Sequence, residues 1–391
     1  MVHLPVYMDY HATTPVDARV VEAMQPFFTQ HFGNTASVQH RFGWIAKEAV
    51  EQARKIIADM LQAEPREILF TSGATESNNL LLKGIAEAYQ SKGNHLITSA
   101  VEHPAVLETC RYLERKGFVL TILPVDSFGR VNPRDVEKAI TEKTLLVSVM
   151  STNNEIGTIQ PLEEIGAICS AKNIFFHTDA TQGIGKIVFN VKEMNIHALS
   201  FSSHKIYGPK GVGVLYLRNK NPKVFLETQM HGGGHERGFR SGTVNVPGIV
   251  GLGKAVSLVQ ENFIDENKTL SELRNLLWEK LQKIENVKLN GDPVRRLSNN
   301  LSVTFNGVNA DMLMAELTDI ALSSGSACTA EDGNASYSHV LKAIGLSAEE
   351  AHSTLRFGLG RFTTKEEVNY VSEKITQTVQ KLRSFSKEGV R

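Results

Sequence analysis

Polar clusters follow five apolar, strand-like runs of this sequence, and one cluster places a lysine after two serines and a histidine. The runs are residues 67–70, 96–99, 145–150, 174–176 and 198–201. The clusters behind them are residues 71–75, His103, Asn153 with Asn154, Asp179 with Gln182, and residues 202–205. In an open, mostly parallel α/β sheet, ligands bind beyond the carboxyl ends of the strands, so we expect these clusters to form one site.

The chemistry of this set is what pyridoxal 5′-phosphate requires. The cofactor needs an amine for its aldehyde, for which Lys205 is the candidate, and an acid for its pyridine nitrogen, for which Asp179 is the candidate. The N–H and O–H groups of residues 71–75, before a helical run, can hold its phosphate. Taken singly, each member of the set also has a plainer interpretation. Residues 71–75 could simply cap the start of a helix, Asp179 could be a helix N-cap, and Lys205 could be a lysine in a solvent-exposed loop. The whole set, in strand order, favours the cofactor.

Strand-like and helix-like segments alternate from about residue 15 to residue 217. This alternation is typical of repeated βαβ units and predicts a mostly parallel sheet flanked by helices. Thr14 before Pro15 predicts the N-cap of a first helix, and a second helix is predicted over residues 38–61. The apolar faces of both helices are predicted to be core, with Val21, Phe28 and Phe42 among their side chains.

After residue 251 the pattern changes to a long charged helix, followed by a strand at 300–305 and helices near 310–317 and 364–382. The length of 391 residues fits about two domains. We therefore predict an α/β protein with a large cofactor-binding domain, residues 15–255, and a smaller α+β domain. The smaller domain would comprise residues 1–14 and 256–391.

Composition narrows the functional classes. Lysine plus arginine and aspartate plus glutamate both number 42, so the net charge is zero and no direct nucleic-acid binding is expected. The N-terminus lacks a secretory leader and no apolar run has membrane-spanning length. These features predict a cytoplasmic protein that does not contact a membrane. The three cysteines, Cys110, Cys169 and Cys328, lack metal-ligand spacing. Residues 231–238 contain two histidines around three glycines, a poor metal site, so no metal is expected.

Eight runs of the sequence closely resemble the motifs of cysteine desulfurases. They are residues 8–15, 71–76, 102–104, 153–157, 178–183, 203–211, 240–243 and 323–329. The resemblance covers essentially the entire chain in order. The run around Cys328 is similar to the group I (NifS/IscS-like) branch of this group, which is part of the class V aminotransferase family.

The resemblance implies a fold-type I homodimer with the active sites near the subunit interface. Lys205 would form the Schiff base with pyridoxal phosphate, and His103 would stack on the ring and move protons. Asp179 would bind the pyridine nitrogen and Gln182 the phenolic oxygen. The phosphate would be held by Ala74, Thr75, Ser202 and His204, and by Thr243 of the other subunit. Arg356 and Asn154 would bind the substrate carboxylate, and Asn154 would also lie against the cofactor.

The implied reaction converts L-cysteine to L-alanine and moves the sulfur to Cys328 as a persulfide. Acceptor proteins, such as an iron–sulfur scaffold or thiolation enzymes, would take the sulfur from there. Cys110 and Cys169 lie on helix-like segments and are interpreted as buried and inert.

Two alternatives stay open at this point. The same framework could serve selenocysteine cleavage or another pyridoxal-phosphate transfer reaction. A protein of a different class, a non-catalytic phosphate-binding scaffold, could use residues 71–75 and the glycines of residues 208–213, although these have no Walker-type spacing.

Overall fold

The computed structural model describes residues 2–324 and 337–388 of the chain. Its helices are α1 (Ala18–Met24), α2 (Pro26–Thr29), α3 (Arg41–Leu61), α4 (Ala74–Ala88), α5 (Pro104–Arg115), α6 (Pro133–Ala139), α7 (Leu162–Ala171), α8 (Val246–Leu281), α9 (Ala310–Glu316), α10 (His339–Ala343), α11 (Ala348–His352) and α12 (Lys365–Glu388). Its strands are β1 (Val6–Tyr7), β2 (Ile68–Thr71), β3 (His95–Ser99), β4 (Val119–Leu123), β5 (Thr144–Ser148), β6 (Phe175–Asp179), β7 (Ala198–Ser202), β8 (Gly213–Leu217), β9 (Val287–Asn290), β10 (Asn300–Phe305), β11 (Ile320–Ala321), β12 (Ser323–Ser324) and β13 (Thr354–Gly358).

The larger sheet has seven strands in the order β2-β8-β7-β6-β5-β3-β4. Strands β3 to β7 pair in parallel, whereas β8 is antiparallel to both β7 and β2. Successive side chains alternate between two cores: Ile68 and Phe70 pack with α3 and α8, and Leu69 packs with α4 and α5. Because helices cover both faces, the inner strands read as continuous apolar runs. The predicted α/β fold is confirmed.

A second, four-stranded antiparallel sheet has the order β12-β13-β10-β9. It packs on the C-terminal half of α8 and on α12 around a separate core that contains Leu273, Phe305 and Phe357. The first strand, β1, pairs in parallel with β11 and joins the same core through Val6. Helix α8 is continuous, and its N-terminal half, with Val256, packs in the core of the large sheet. The predicted division at residues 255 and 256 falls within this helix, and it stays a prediction.

The predicted start of the first helix is wrong. Helix α1 begins at Ala18, and its N-cap is Asp17, whose carboxylate accepts from the backbone N–H of Arg19. The Thr14 hydroxyl is used elsewhere, because it donates to the carbonyl of His204 at 2.9 Å and accepts from the N–H of Tyr207 at 2.8 Å. Thr14 therefore fixes the chain around Lys205 instead of capping a helix.

The prediction that the apolar faces of the first two helices are core is wrong for three side chains. Val21 is 50% exposed, Phe28 62% and Phe42 51%. Val20 of α1 and Val50 of α3 are buried, so each helix buries a narrower stripe than its sequence suggests. Within residues 2–324 and 337–388, no helix combines the length and hydropathy needed to span a membrane.

Candidate active site

A cavity of about 650 Å³ opens beyond the carboxyl ends of β2, β3, β5, β6 and β7. The predicted site residues other than Thr243 and Cys328 line it: Ala74, Thr75, His103, Asn154, Asp179, Gln182, Ser202, His204, Lys205 and Arg356. Thr243 is exposed outside the cavity, and Cys328 lies outside the described residues. The parallel strands thus bring together side chains that are far apart in sequence.

Lys205 ends a short 3-10 turn, residues Ser203–Lys205, that directly follows β7. Its ammonium group donates to the carbonyls of His11 and Ala12, the latter at 2.8 Å. Burial and the nearby Arg356 guanidinium lower the pKa of Lys205 to about 8. A lysine with this pKa is partly neutral near pH 7 to 8, as a nucleophilic amine must be.

Asp179 is the last residue of β6 and is only 5% exposed. Its carboxylate accepts from the Asn78 side-chain amide at 2.8 Å and from the N–H of Thr181 at 3.0 Å. No cation in the described part of the chain forms a salt bridge with it. A buried carboxylate without a counter-charge suits a cationic ligand group such as a protonated pyridine nitrogen. Asn78 was not predicted as a site residue. The signal in the sequence was an amide side chain on the buried face of a helix.

The N-terminus of α4 faces the same cavity. The helix begins at Ala74, so the N–H groups of Ala74 and Thr75 belong to its first turn. Free N–H groups in the first turn of a helix bind anions. Gly213 of β8 allows the loop to lie close to the sheet, since a Cβ there would be 2.5 Å from the Cα of Gly73.

His204 lines the same cavity. Its Nδ1 is 3.0 Å from the Thr13 hydroxyl, and burial together with the Lys205 charge lowers its pKa to about 4. The ring is therefore neutral at neutral pH. A neutral imidazole can both accept and donate a hydrogen bond.

His103 is the N-cap of α5, where its Nδ1 accepts from the N–H of Ala105 at 3.1 Å. Desolvation by the cavity walls lowers its pKa. The neutral tautomer then carries its proton on Nε2, because Nδ1 accepts a hydrogen bond. The preceding residue, Glu102, is fully buried, and its Oε1 accepts from the Ser99 hydroxyl at 2.7 Å and from the N–H of Met150 at 2.8 Å.

Gln182 is held in one orientation by His11. The Gln182 amide donates to the His11 carbonyl at 3.0 Å, and its Oε1 is 3.1 Å from His11 Nδ1. Burial and the Arg356 charge lower the pKa of His11 to about 3, so this ring is neutral. His11 was not predicted as a site residue, and only its place in a motif-like run could have drawn attention to it.

Arg356 reaches the cavity from β13. Its guanidinium donates to the Asn154 carbonyl at 3.2 Å, to Asp9 at 2.8 Å and to the Ser323 hydroxyl at 2.9 Å. Its Nε is buried and has no hydrogen-bond partner among the described residues. Glycine is required at the end of this strand, since a Cβ on Gly358 would be 2.9 Å from backbone nitrogens of the N-terminal segment.

The other two cysteines are buried, as the sequence predicted. Cys110 lies in α5 and Cys169 in α7, and both are free thiols. Burial raises the pKa of each to about 12. Neither thiol is therefore a thiolate at neutral pH.

The donor set of the cavity fits pyridoxal phosphate. Buried oxygens of three cavity residues, Asn78, Thr152 and Thr181, lack partners within the described part of the chain. The cavity also offers one amine of lowered pKa, one unneutralised carboxylate and one helix N-terminus. These match the aldehyde, the pyridine nitrogen and the phosphate of the cofactor.

Comparison with known proteins decides the family. The profile of the family described as "Aminotransferase class-V" matches residues 6–371. Cysteine desulfurase IscS of Escherichia coli (strain K12 / DH10B) is 52% identical over 385 residues, which cover 98% of this chain and 95% of the relative. The chain belongs to the class-V aminotransferases. Within them it belongs to the NifS/IscS-like cysteine desulfurases, as its motifs predicted.

Solved structures of this family have the same fold. A protein titled NifS-like has a TM-score of 0.89 at 40% identity, with 96% of this chain and 99% of that chain covered. SspA, solved in complex with cysteine, has a TM-score of 0.81 at 42% identity, with 92% and 100% covered. A class-V aminotransferase domain related to IscS implies dependence on pyridoxal phosphate.

Proposed function

We propose that this protein is a cysteine desulfurase that converts L-cysteine to L-alanine and transfers the sulfur to its own Cys328. The observation that carries the proposal is the meeting of Lys205, Asp179, the α4 N-terminus and Arg356 in one cavity. The identity of 52% to an enzyme named cysteine desulfurase supports it. A phosphate-binding scaffold would need neither the lysine nor the arginine there.

The roles that we propose for the cofactor residues agree with the chemistry of their contacts. Bound pyridoxal phosphate supplies an electron sink for the carbanion at the substrate Cα. Lys205 would hold the aldehyde carbon and, once the substrate amine takes its place there, would move the α-proton as a free neutral amine. Asp179 keeps a proton on the pyridine nitrogen, and Gln182 donates to the phenolic oxygen.

The phosphate is bound by the first turn of α4, with Ala74 and Thr75, and by Ser202 and His204. We propose that Thr243 reaches the phosphate of the other subunit in a homodimer. Its exposed position, outside its own cavity, is compatible with this role.

Arg356 and Asn154 bind the carboxylate of L-cysteine. The guanidinium suits this role because its planar N–H groups match a carboxylate. His103 stacks on the ring and exchanges protons with the substrate through Nε2, which carries the proton of the neutral ring because Nδ1 accepts from the N–H of Ala105.

The thiolate of Cys328 takes the substrate sulfur as a persulfide, and the carbon fragment leaves as alanine. A soft, polarizable thiolate suits this transfer. The buried thiols of Cys110 and Cys169 cannot replace it. We further propose that acceptor proteins, such as an iron–sulfur scaffold, take up the sulfur, and that the homodimer acts in the cytoplasm.

The test is to incubate the purified protein with L-cysteine and to quantify alanine and protein-bound persulfide. We expect one alanine for each sulfur released in the presence of a thiol reductant, and a persulfide on Cys328 in its absence. L-Selenocysteine, assayed in parallel, tests the selenocysteine lyase alternative. No alanine from L-cysteine in protein that contains the cofactor would contradict the proposal.

A further inference from the structure

Arg356 forms a closed triangle of hydrogen bonds with two other side chains. Its Nη2 donates to Asp9 Oδ1 at 2.8 Å and to the Ser323 hydroxyl at 2.9 Å, and the same hydroxyl donates to Asp9 Oδ1 at 2.7 Å. The side chains of Arg356 and Asp9 are 14% and 17% exposed. The arginine on the cavity wall thus already has a carboxylate partner within the protein.

The main chain fixes the position of Asp9 relative to the strand that carries Arg356. Asp9 forms a parallel bridge with Gly358, two residues beyond Arg356 in β13. The Tyr7 hydroxyl donates to the Asp9 carbonyl at 3.1 Å and to the Thr13 carbonyl at 3.0 Å. Asp9 is therefore held by its backbone, so its carboxylate can hold the more flexible arginine side chain.

The triangle divides the five N–H groups of the guanidinium between the protein and the cavity. Both protons of Nη2 go to Asp9 and Ser323, and one proton of Nη1 goes to the Asn154 carbonyl. The proton on Nε and the second proton on Nη1 remain, and Nε has no partner among the described residues. These two N–H groups are the ones that the described residues leave unused, and of the two Nε is itself buried.

Asp9 also belongs to the charge balance around Lys205. Among the described residues, the titratable or charged groups that face this lysine or its cavity are Asp9, His11, Glu76, His103, Asp179, His204, Lys210 and Arg356. Arg356 lowers the pKa of Lys205, whereas Asp9 and Asp179 raise it. The charges of Asp9 and Arg356 therefore act on the lysine in opposite directions.

We propose that Asp9 is a positioning residue: its carboxylate orients the Arg356 guanidinium for the substrate carboxylate and balances the Arg356 charge beside Lys205. This inference rests on the proposed function, because it assumes that Arg356 binds an amino-acid carboxylate. Without the Asp9 carboxylate, Nη2 of the guanidinium keeps only the neutral Ser323 hydroxyl as a partner, and the uncompensated charge of Arg356 acts on the amine.

The test compares Asp9→Asn with Arg356→Gln in purified holoenzyme. For Asp9→Asn we expect the KM for L-cysteine to rise about tenfold, as for loss of one charge-assisted hydrogen bond, with kcat changed by less than about threefold. The pH midpoint of the cofactor absorbance change should fall in Asp9→Asn and rise in Arg356→Gln, since one variant removes a negative charge and the other a positive charge. Asp59→Asn, which removes an exposed carboxylate from α3, is the matched control and should change neither quantity.

An unchanged KM and an unmoved midpoint in folded, coloured Asp9→Asn would overturn the inference. So would midpoints that shift in the same direction in both variants, because charge balance requires opposite signs. If Asp9→Asn does not fold, Ser323→Ala is the variant to test. It keeps the charges of Asp9 and Arg356, so the KM for L-cysteine should rise about threefold while the pH midpoint of the cofactor absorbance stays the same. An unchanged KM would refute the role of the hydrogen-bonded triangle.

Failure of the proposed function would look different. In that case the parent protein would show no cofactor absorbance and no alanine. The pH dependence of Lys205 acetylation under trace labelling would still report the charge balance in the same full-length chain. Asp9→Asn should then shift the Lys205 labelling curve to lower pH, and an unshifted curve would overturn the role of Asp9.

Discussion

Replacing Glu102 with glutamine should remove a pH-dependent loss of stability that arises from a buried carboxyl group next to His103 of the candidate active site. Glu102 is fully buried between β3 and β5, and burial raises its pKa from 4.5 to about 8. Its Oε1 accepts two hydrogen bonds, whereas Oε2 has no partner in residues 2–324 and 337–388. At neutral pH the side chain is therefore a neutral acid, which glutamine imitates in shape and charge.

The size of the effect follows from the two pKa values. Because the folded-state pKa of Glu102 lies above its unfolded-state value, the full contribution of this group to stability exists below pH 4.5. It is lost as the pH rises toward about 8, at about 1.4 kcal/mol per pH unit and about 5 kcal/mol in all. Glu102→Gln does not titrate, so its stability relative to the parent protein should increase by about 3 kcal/mol between pH 5.5 and 7.5.

The assay is urea unfolding followed by tryptophan fluorescence at several pH values, with Glu114→Gln as the control. Glu114 is an exposed carboxylate on α5, and its replacement should leave the pH dependence of the parent unchanged. The free energies of unfolding of the parent and of Glu102→Gln should diverge with rising pH. Parallel curves between pH 5.5 and 7.5 would refute the reasoning that Glu102 is protonated in the folded protein.

Two further predictions concern the sulfur carrier and the junction of the two sheets. Cys328→Ala should retain the cofactor and its colour but lose steady alanine production and the bound persulfide. The control variant Cys110→Ala should keep alanine production and the persulfide. Turnover of Cys328→Ala near the rate of the parent protein would show that another residue carries the sulfur. Glu266→Gln should lower the free energy of unfolding by about 3 to 5 kcal/mol, since Glu266 accepts from Lys186 at 3.2 Å and from Arg361 at 2.9 Å in a pocket where all three side chains are nearly buried. A urea midpoint equal to that of the parent would contradict this estimate.

The parts of the site that follow strand ends could be predicted from the sequence. A parallel sheet puts the carboxyl ends of its strands at one edge, so Lys205, Asp179 and His103 had to converge once the strands were recognised. The runs of apolar residues were clear because both faces of the sheet are covered by helices.

Other parts depend on contacts that no local pattern encodes. Asp9 and Arg356 are 347 residues apart in sequence, and their pairing arises from the docking of the N-terminal segment on β13. Thr14 shows how tertiary contacts override a local signal: its sequence context suits an N-cap, but its hydroxyl instead bonds the chain on both sides of Lys205. The antiparallel direction of β8 was also not predicted, since direction follows from the short connection after Lys205 and not from the strand itself.

The most direct measurement of the central claim is borohydride reduction of the purified yellow protein, followed by peptide mapping. The cavity contains a second lysine, Lys210, which is exposed at its rim, so the experiment has two possible sites to distinguish. We predict that reduction abolishes the visible absorbance and leaves the pyridoxyl group on Lys205. A pyridoxyl group on Lys210, or colour that is lost without labelling of Lys205, would contradict the assignment of the amine.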